Sequence, residues 1–214
     1  MSRTDKKRVV LIIQARMGSQ RLPGKSMMDL AGAPLVGRIL ERVKRCQRLD
    51  EIILATADTP ENQVLAQLGR DYGVSVFTGS ENDLVERYYQ AALASKADVI
   101  GRLPADNATP EPSEIDRIVD HHLSLGRPGF SSNLTVIGDS GYPDGIGAEM
   151  FDFSLLADAR VRHTDPRQRD DEAAHLPHVL LKRVVRLLAN RHQRKNVHRP
   201  GRFRLRRRGR RLVV

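Results

Sequence analysis

The stretch of sequence that decides the fold is Val9-Val-Leu-Ile-Ile-Gln-Ala-Arg-Met-Gly-Ser-Gln-Arg-Leu-Pro-Gly-Lys25. Its first five residues are all apolar, and a short apolar run of this kind is typical of a strand buried on both faces of a sheet. The residues that follow, 14–25, mix glycines with basic side chains. The sequence therefore predicts a buried first strand that leads into a glycine-rich, cationic loop.

Further predicted strands alternate with predicted helices along the chain. This alternation is the pattern of βαβ units, so we expect an α/β fold with a mainly parallel sheet flanked by helices. The predicted strands lie at residues 9–13, 51–56, 74–77 and 97–102, and the predicted helices begin at Pro34, Thr59, Asn82 and Ser113. A looser part follows, with predicted strands at residues 130–133 and 148–153, a turn at 142–145, and helices at 154–161 and 170–192.

The predicted sheet also indicates where a ligand would bind. Ligands of parallel sheets bind beyond the carboxyl ends of the strands. Residues 16–25 and 102–106 follow two such strands. We therefore expect these two segments to lie on the same rim of the molecule.

Some side-chain orientations follow from helical periodicity. Val64, Leu65 and Leu68 are expected to face the core, and Ser113 is expected to cap its helix. The histidines at residues 121–122 are expected on a helix surface, without a metal site.

Composition limits the class of protein. A chain of 214 residues with 40% hydrophobic residues suits one α/β domain with an aliphatic core. Its single cysteine, Cys46, allows no internal disulfide and favours a reducing cytoplasm. No apolar run approaches the roughly 20 residues of a membrane span. We therefore expect a cytoplasmic protein with no membrane contact.

The net charge of +10 is concentrated at the C-terminal end. Residues 182–214 contain fourteen Lys or Arg and no Asp or Glu, which leaves 22 basic and 26 acidic residues in the remainder. Three interpretations stay open for this basic tail. It binds RNA or DNA phosphates, it is a solvated arm, or it is an out-of-frame translation of a different C-terminus.

The glycine-rich loop, residues 14–25, combines the groups that proteins use to bind phosphates. Its two glycines let backbone amides approach an anion, and a serine adds a hydroxyl donor. Its three cations, together with a metal, nearly neutralise the roughly four negative charges of a triphosphate. The residues concerned are Arg16, Gly18, Ser19, Arg21, Gly24 and Lys25. An ordinary basic turn between a strand and a helix is the alternative interpretation.

These motifs resemble the cytidylyltransferases that activate acidic sugars, the acylneuraminate and KDO cytidylyltransferases. The resemblance is strongest to the SpsF-like branch of spore coat polysaccharide biosynthesis. The opening pattern Q-A-R-M-G-S-x-R-L-P-G-K is intact at residues 14–25. Less specific blocks resemble the branch at residues 32–35, 55–58, 77–91, 102–106, 132–133 and 142–149. The likeness covers roughly residues 8–160.

The resemblance implies a Rossmann-like nucleotide-diphosphosugar transferase fold, a homodimer and a requirement for Mg²⁺. It implies that Asp106 binds the metal and acts in catalysis with Arg16 and Lys25. The nucleotide-binding residues that it implies are Ala15, Arg16, Gly18, Ser19, Arg21 and Lys25. The implied substrate-binding residues are Arg87, Arg102, Asn133, Asp144 and Glu149.

Structural alternatives stay open for several of these residues. Asp106 could cap a loop or helix, and Arg87 could pair with a neighbouring acid. Asp144 and Glu149 could serve the turn at residues 143–145 instead of a sugar.

The likeness fails toward the C-terminal end. Asn107-Ala-Thr-Pro110 replaces the Cys-Pro-Leu of the branch, and no residue after Glu172 is acidic, so the family's second metal carboxylate has no counterpart. We therefore divide the chain into a nucleotidyltransferase domain at residues 1–165, a divergent helical segment at 166–192 and a basic, disordered tail at 193–214.

The predicted function is transfer of CMP from CTP to a sugar acid or related sugar, with release of pyrophosphate, in surface polysaccharide biosynthesis. Two other hypotheses remain. The chain is a family member that binds nucleotide or sugar without turnover, or it binds nucleic acid through its basic tail.

Overall fold

The computed structural model describes residues 6–19, 22–133, 143 and 145–162. These residues form six strands and five α-helices. In chain order they are β1 Val9–Gln14, α1 Leu35–Val43, β2 Glu51–Ala57, α2 Gln63–Asp71, β3 Ser75–Gly79, α3 Leu84–Ala94, β4 Val99–Pro104, α4 Pro112–Ser124, β5 Phe130–Ser132, β6 Glu149–Asp152 and α5 Phe153–Arg162.

The strands form one mainly parallel sheet in the order β3-β2-β1-β4-β6-β5. Strand β1 pairs in parallel with β2 on one side and β4 on the other, while β6 runs antiparallel to both β4 and β5. The chain builds outward from β1 in one direction and then crosses to its other side, so the switch point lies between β1 and β4. The predicted α/β fold with helices flanking a mainly parallel sheet is confirmed.

The central strand separates two layers of the core. Leu11 and Ile13 pack with α1 and α4 on one face, and Val10 and Ile12 pack with α3 and α5 on the other. All four side chains are fully buried. Because both faces are covered by helices, the strand needs apolar residues at every position rather than at alternate ones. This explains the continuous apolar run in the sequence.

Two predicted side-chain roles are wrong. Val64 is 43% exposed, because Leu65 and Leu68, spaced three residues apart, define the buried face of α2 and turn Val64 away from it. Helix α4 begins after Glu111, with Pro112 in the first turn, so Ser113 lies inside the helix and does not cap it.

His122 is buried, and its expected place on a helix surface is also wrong. It continues the inward-facing series of α4 that includes Ile115 and Val119. Its Nδ1 lies 2.9 Å from Ser131 Oγ and its Nε2 lies 3.1 Å from Asp152 Oδ2. The side chain therefore joins α4 to both antiparallel strands at the edge of the sheet.

Asp152 is the acceptor at the centre of this contact. Its carboxylate also accepts hydrogen bonds from Lys7 Nζ at 2.6 Å and from the Gly129 backbone N–H at 2.8 Å. Burial raises the pKa of Asp152, but the hydrogen bonds from His122, Lys7 and Gly129 outweigh burial and hold the pKa below its ordinary value.

Several predictions fall on residues outside the described part of the chain. These are Tyr142 and Asp144 of the turn at residues 142–145, the divergent segment at 166–192 and the basic tail at 193–214. Within the described part, no helix has the length and apolar character needed to cross a bilayer.

Candidate functional site

A cleft opens at the carboxyl ends of β1 and β4, at the switch point of the sheet. It encloses a cavity of about 120 Å³. Its walls are Gln14, Ala15, Arg16, Ser19, Lys25, Ser26, Arg87, Pro104, Ala105 and Asp106. The two segments expected on one rim therefore do meet there.

The glycine-rich loop closes on itself at Met17. The Met17 carbonyl accepts hydrogen bonds from the Ser19 and Gly24 backbone N–H groups, both at 2.9 Å. Gly24 takes a φ of +71°, a left-handed conformation that glycine adopts without the steric cost of a Cβ atom. The buried Ser26 hydroxyl donates to the Arg16 carbonyl at 3.1 Å. These contacts turn the chain so that Arg16 and Lys25 line the same cavity.

Lys25 and Asp106 face each other across the cleft. Lys25 Nζ lies 3.0 Å from Asp106 Oδ2, and the two side chains are 27% and 47% exposed. Such half-exposed ion pairs contribute only about 0–1 kcal/mol to stability. Both groups can therefore exchange this contact for a ligand at little cost to the fold.

The other loop residues that the sequence predicted to bind nucleotide occupy different positions around the cleft. Ala15 is buried and donates its backbone N–H to the Ala55 carbonyl at 3.1 Å. Ser19 lines the cavity, and Gly18 is exposed next to it, with open space where a Cβ would stand. Arg21 lies outside the described residues.

Arg87 reaches the cavity from α3. Its side chain is buried, and Nη1 donates to the Ser80 carbonyl at 2.8 Å. The Asp83 side chain accepts the Glu86 N–H at 2.8 Å and so caps the helix that carries Arg87. The structure therefore brings this predicted substrate-binding residue into the same cleft as the loop cations.

Arg102 and Glu149, in contrast, lie inside the fold. They stand opposite each other on β4 and β6, and Arg102 Nη1 donates to Glu149 Oε2 at 2.6 Å. Their side chains are 2% and 3% exposed. The pair is enclosed between two strands and neither residue is among those that line the cleft, so the predicted sugar contact of these two residues stays a prediction.

Burial and the ion pair act in opposite directions on the pKa values of these two residues. Burial opposes the charged form of Arg102, but Glu149, together with Tyr88 and Asp106, outweighs burial and raises the Arg102 pKa. Burial raises the pKa of Glu149, and the adjacent guanidinium opposes that rise. Removing one partner would leave the other as an uncompensated buried charge, which is strongly destabilising.

Asn133 also has a role inside the fold. Its Nδ2 donates to the Glu114 carbonyl at 3.1 Å, and its Oδ1 accepts the Ala148 N–H at 2.9 Å. The amide therefore joins α4 to the segment that enters β6. Both ends of this buried side chain serve backbone groups, and the predicted sugar contact of Asn133 stays a prediction, like that of Arg102 and Glu149.

The cleft offers one carboxylate that could serve as a ligand of Mg²⁺. Among the described residues, no group of three or more His, Cys, Asp or Glu side chains could hold a metal ion. However, Mg²⁺ is commonly bound by one or two carboxylates together with phosphate oxygens and water. Asp106, at the edge of a cationic cleft, fits that mode and supplies one carboxylate.

The sequence did not reveal every residue that shapes the cleft. Gln14 and Ser26 line it, and the buried Asn62 accepts the Met17 N–H at 2.9 Å from outside it. Asn62 lies 45 residues from Met17 in the chain, so no local pattern could have indicated this contact.

A cationic loop and a carboxylate lie together at the switch point of a mainly parallel α/β sheet, which is where sheets of this kind bind their ligands. The family described as Cytidylyltransferase matches residues 10–163. The chain belongs to the cytidylyltransferase family, and the resemblance seen in its motifs is confirmed.

Two relatives illustrate this membership. The spore coat polysaccharide biosynthesis protein SpsF of Bacillus subtilis is 33% identical over 154 residues, which cover 70% of this chain and 61% of that protein. A 3-deoxy-manno-octulosonate cytidylyltransferase of an Anaeromyxobacter species is 34% identical over 115 residues, which cover 53% of this chain and 46% of that protein. The chain thus spans less than two thirds of the length of these relatives.

Solved structures show the same architecture. A cytidylyltransferase from Leptospira borgpetersenii has a TM-score of 0.73 and 31% identity, covering 81% of this chain and 72% of that chain. A CMP:2-keto-3-deoxy-manno-octonic acid synthetase complexed with CTP has a TM-score of 0.61 and 17% identity, covering 83% of this chain and 86% of that chain. At that identity the second likeness concerns the fold alone.

Proposed function

We propose that this chain binds CTP at the glycine-rich loop and transfers CMP to a hydroxyl group of a sugar acid, releasing pyrophosphate. The observation that carries the proposal is the contact of 3.0 Å between Lys25 Nζ and Asp106 Oδ2 at the switch point of the sheet. A cation and a carboxylate side by side suit a polyphosphate that arrives with a divalent metal. Family membership supports the cytidine nucleotide, and the 3-deoxy-manno-octulosonate relative supports a sugar acid.

The loop would act by holding and neutralising the triphosphate. Arg16 offers a planar set of donors and Lys25 a point charge, and both line the cleft with the Ser19 hydroxyl. The sugar hydroxyl attacks the α-phosphorus and gives up its proton to water as the new P–O bond forms. The bond from the α-phosphorus to the bridging oxygen breaks, and its electron pair leaves with pyrophosphate. Charge on the departing pyrophosphate is stabilised by these fixed cations, so positioning and electrostatics supply most of the catalysis.

Asp106 is the residue that would hold Mg²⁺. Its carboxylate is half-exposed at the edge of the cleft, and Lys25 already faces it. Bound there, Mg²⁺ would add positive charge beside the phosphate oxygens.

The size of the cavity supports a phosphate subsite rather than a complete nucleotide pocket. Its volume of about 120 Å³ is well below the roughly 300 Å³ at which ligand pockets begin. The described walls therefore suit the polyphosphate, and the cytosine and the sugar would contact surfaces around this subsite. Arg87, in the cavity wall, is the proposed contact for the substrate on the α3 side.

Pyrophosphate release tests the proposal directly. The parent chain is incubated with Mg²⁺, one of CTP, UTP, ATP or GTP, and a panel of sugars that includes 3-deoxy-manno-octulosonate. We expect release only with CTP and a sugar acid, and we expect Asp106→Asn to lower turnover more than CTP affinity. Lys6→Met is the control, because Lys6 forms a lysine–aspartate ion pair with Asp50 at 2.9 Å away from the cleft, beside the amino-terminal end of β1.

Two outcomes separate the alternatives. CTP binding without pyrophosphate release from any sugar would select a family member that binds nucleotide without turnover. No measurable CTP binding by the parent chain would reject the proposed function.

A further inference from the structure

Asn62 is a buried polar residue that the proposed chemistry does not use. It is 2% exposed and ends a short 3₁₀ turn, Pro60–Asn62, between β2 and α2. Its Oδ1 accepts the Met17 backbone N–H at 2.9 Å, and its Nδ2 donates to Thr59 Oγ1 at 2.6 Å. The orientation of the amide is fixed by chemistry, because a backbone N–H can only donate and so must face the oxygen.

The side chain of Asn62 does not serve its own helix. Asparagine at a helix N-cap usually accepts a hydrogen bond from the first turn of the helix. Asn62 occupies the N-cap of α2 but makes no such bond. It instead reaches the glycine-rich loop, so its hydrogen-bonding capacity serves a segment that is distant in sequence.

Met17 is the residue on which the loop closes. Its carbonyl accepts the N–H groups of Ser19 and Gly24, both at 2.9 Å, while its own N–H is held by Asn62. The two loop cations that line the cleft flank this closed segment, since Arg16 precedes Met17 and Lys25 follows Gly24. Any movement of the Met17 peptide would therefore shift both cations.

We propose that Asn62 is a positioning residue that anchors the glycine-rich loop through the Met17 N–H and so holds Arg16 and Lys25 in place for the nucleotide. Asn62 is not among the residues that line the cavity, so it acts through the loop rather than by contact with a ligand. The inference rests on the proposed function only in naming a nucleotide as the ligand. The anchoring contact itself is a property of the chain alone.

The energetic effect of the anchor follows from its burial. The Met17 N–H is partly buried against the buried Asn62 amide, and leaving such a donor without its acceptor changes an equilibrium constant by about 5-fold, or up to about 150-fold if water cannot reach it. The loop can avoid that penalty by shifting Met17 toward water, which separates the cations from the cleft. Nucleotide affinity should then fall by a similar factor, because preorganisation of the binding groups is lost.

A matched pair of variants isolates the anchor. Asn62→Ala removes both hydrogen bonds of the amide, whereas Thr59→Val removes only the one to Thr59 Oγ1 and keeps the oxygen on Met17. The difference between the two variants therefore reports the Met17 contact. Asn62→Asp is a third variant that keeps an oxygen acceptor for Met17.

The first measurement is amide hydrogen exchange of the whole chain without ligand. We expect the Met17 N–H to be protected in the parent chain and in Thr59→Val. In Asn62→Ala we expect the Met17, Ser19 and Gly24 amides to exchange at least fivefold faster, whereas amides in the middle of β2 stay unchanged. An unprotected Met17 amide in the parent chain would overturn the proposal, and this result does not depend on whether any variant folds.

The second measurement is the affinity of each chain for CTP with Mg²⁺. We expect Asn62→Ala to bind about 5- to 150-fold more weakly than Thr59→Val, and Asn62→Asp to recover part of the loss. Equal affinity and equal exchange in Asn62→Ala and Thr59→Val would overturn the proposal. If the parent chain fails to bind CTP, the proposed function fails, whereas the exchange comparison still decides the role of Asn62.

Discussion

The replacement Lys25→Met tests the site with the least disturbance of the fold. The side chain is 27% exposed, and its ammonium group forms one ion pair, at 3.0 Å, with a carboxylate that is itself 47% exposed. Methionine keeps a flexible, unbranched side chain of comparable length and removes only the charge and the hydrogen-bond donors.

The expected magnitudes separate binding from stability. A half-exposed ion pair contributes about 0.2–1 kcal/mol, so the free energy of unfolding should fall by less than about 1 kcal/mol. A hydrogen bond from a charged donor to a phosphate is worth about 1.5–3 kcal/mol. The dissociation constant for CTP should therefore rise by about 10- to 150-fold.

Two assays on the same samples give these numbers. Titration calorimetry with CTP and Mg²⁺ measures the dissociation constant, and urea unfolding measures the stability. Lys6→Met serves as the matched control, because it removes a lysine–aspartate ion pair of 2.9 Å beside the amino-terminal end of β1. We expect this control to bind CTP as the parent chain does.

Either of two results would refute the reasoning. If Lys25→Met and Lys6→Met bind CTP equally well, Lys25 does not contact the nucleotide. A loss of several kcal/mol of stability in Lys25→Met would also contradict the argument, because the ion pair would then hold the fold together rather than serve a ligand.

Three further predictions concern the fold. Gly101→Ala should lower the free energy of unfolding, measured in urea, by about 1–3 kcal/mol. The reason is that the new Cβ would stand 2.7 Å from Leu11 Cδ1 and 3.1 Å from Met150 Cε. An unchanged midpoint would show that this layer of the core is loosely packed. Burial, assisted by nearby carboxylates, raises the pKa of the Cys46 thiol to about 12. The folded chain should therefore react slowly with Ellman's reagent near neutral pH, whereas the chain unfolded in urea should react at once. Rapid labelling of the folded chain would contradict this prediction. Asp152 has a lowered pKa, so the stability it contributes is present above its ordinary pKa of 3.8 and is lost as the pH falls through the folded-state pKa. The difference in the free energy of unfolding between the parent chain and Asp152→Asn should therefore shrink between about pH 5 and about pH 2. A difference that grows on acidification would contradict this prediction.

The fold could be predicted where the signal lies in consecutive residues. The apolar run of β1 and the alternation of strands with helices depend on local periodicity, and both predictions are confirmed. The ends of the strands could not be located as well. β4 was predicted at residues 97–102 but extends to Pro104, because its pairing with β1 continues as far as Gln14. Pairing partners set where a strand ends, and they are distant in sequence.

The candidate site, too, could be predicted from the sequence only in part. The cations of the glycine-rich loop are neighbours in the sequence, so their chemistry could be recognised without a structure. His122 was assigned to the wrong environment, and the burial of the Arg102–Glu149 pair was not foreseen, because burial depends on strands and helices that pack from elsewhere in the chain. Charged or polar side chains are exposed by default, and only tertiary structure reveals the exceptions.

The contact between Lys25 and Asp106 has a consequence for the kind of ligand the cleft accepts. A ligand that carries charge of one sign must separate the two groups and compensate only one of them. A ligand that carries charges of both signs can offer an anion to the ammonium and a cation to the carboxylate. Neither group then loses its counter-charge when the ligand binds. The cleft should therefore prefer ligands that carry charges of both signs. A nucleotide complexed with a divalent cation should bind more tightly than the same nucleotide does in a chelating buffer.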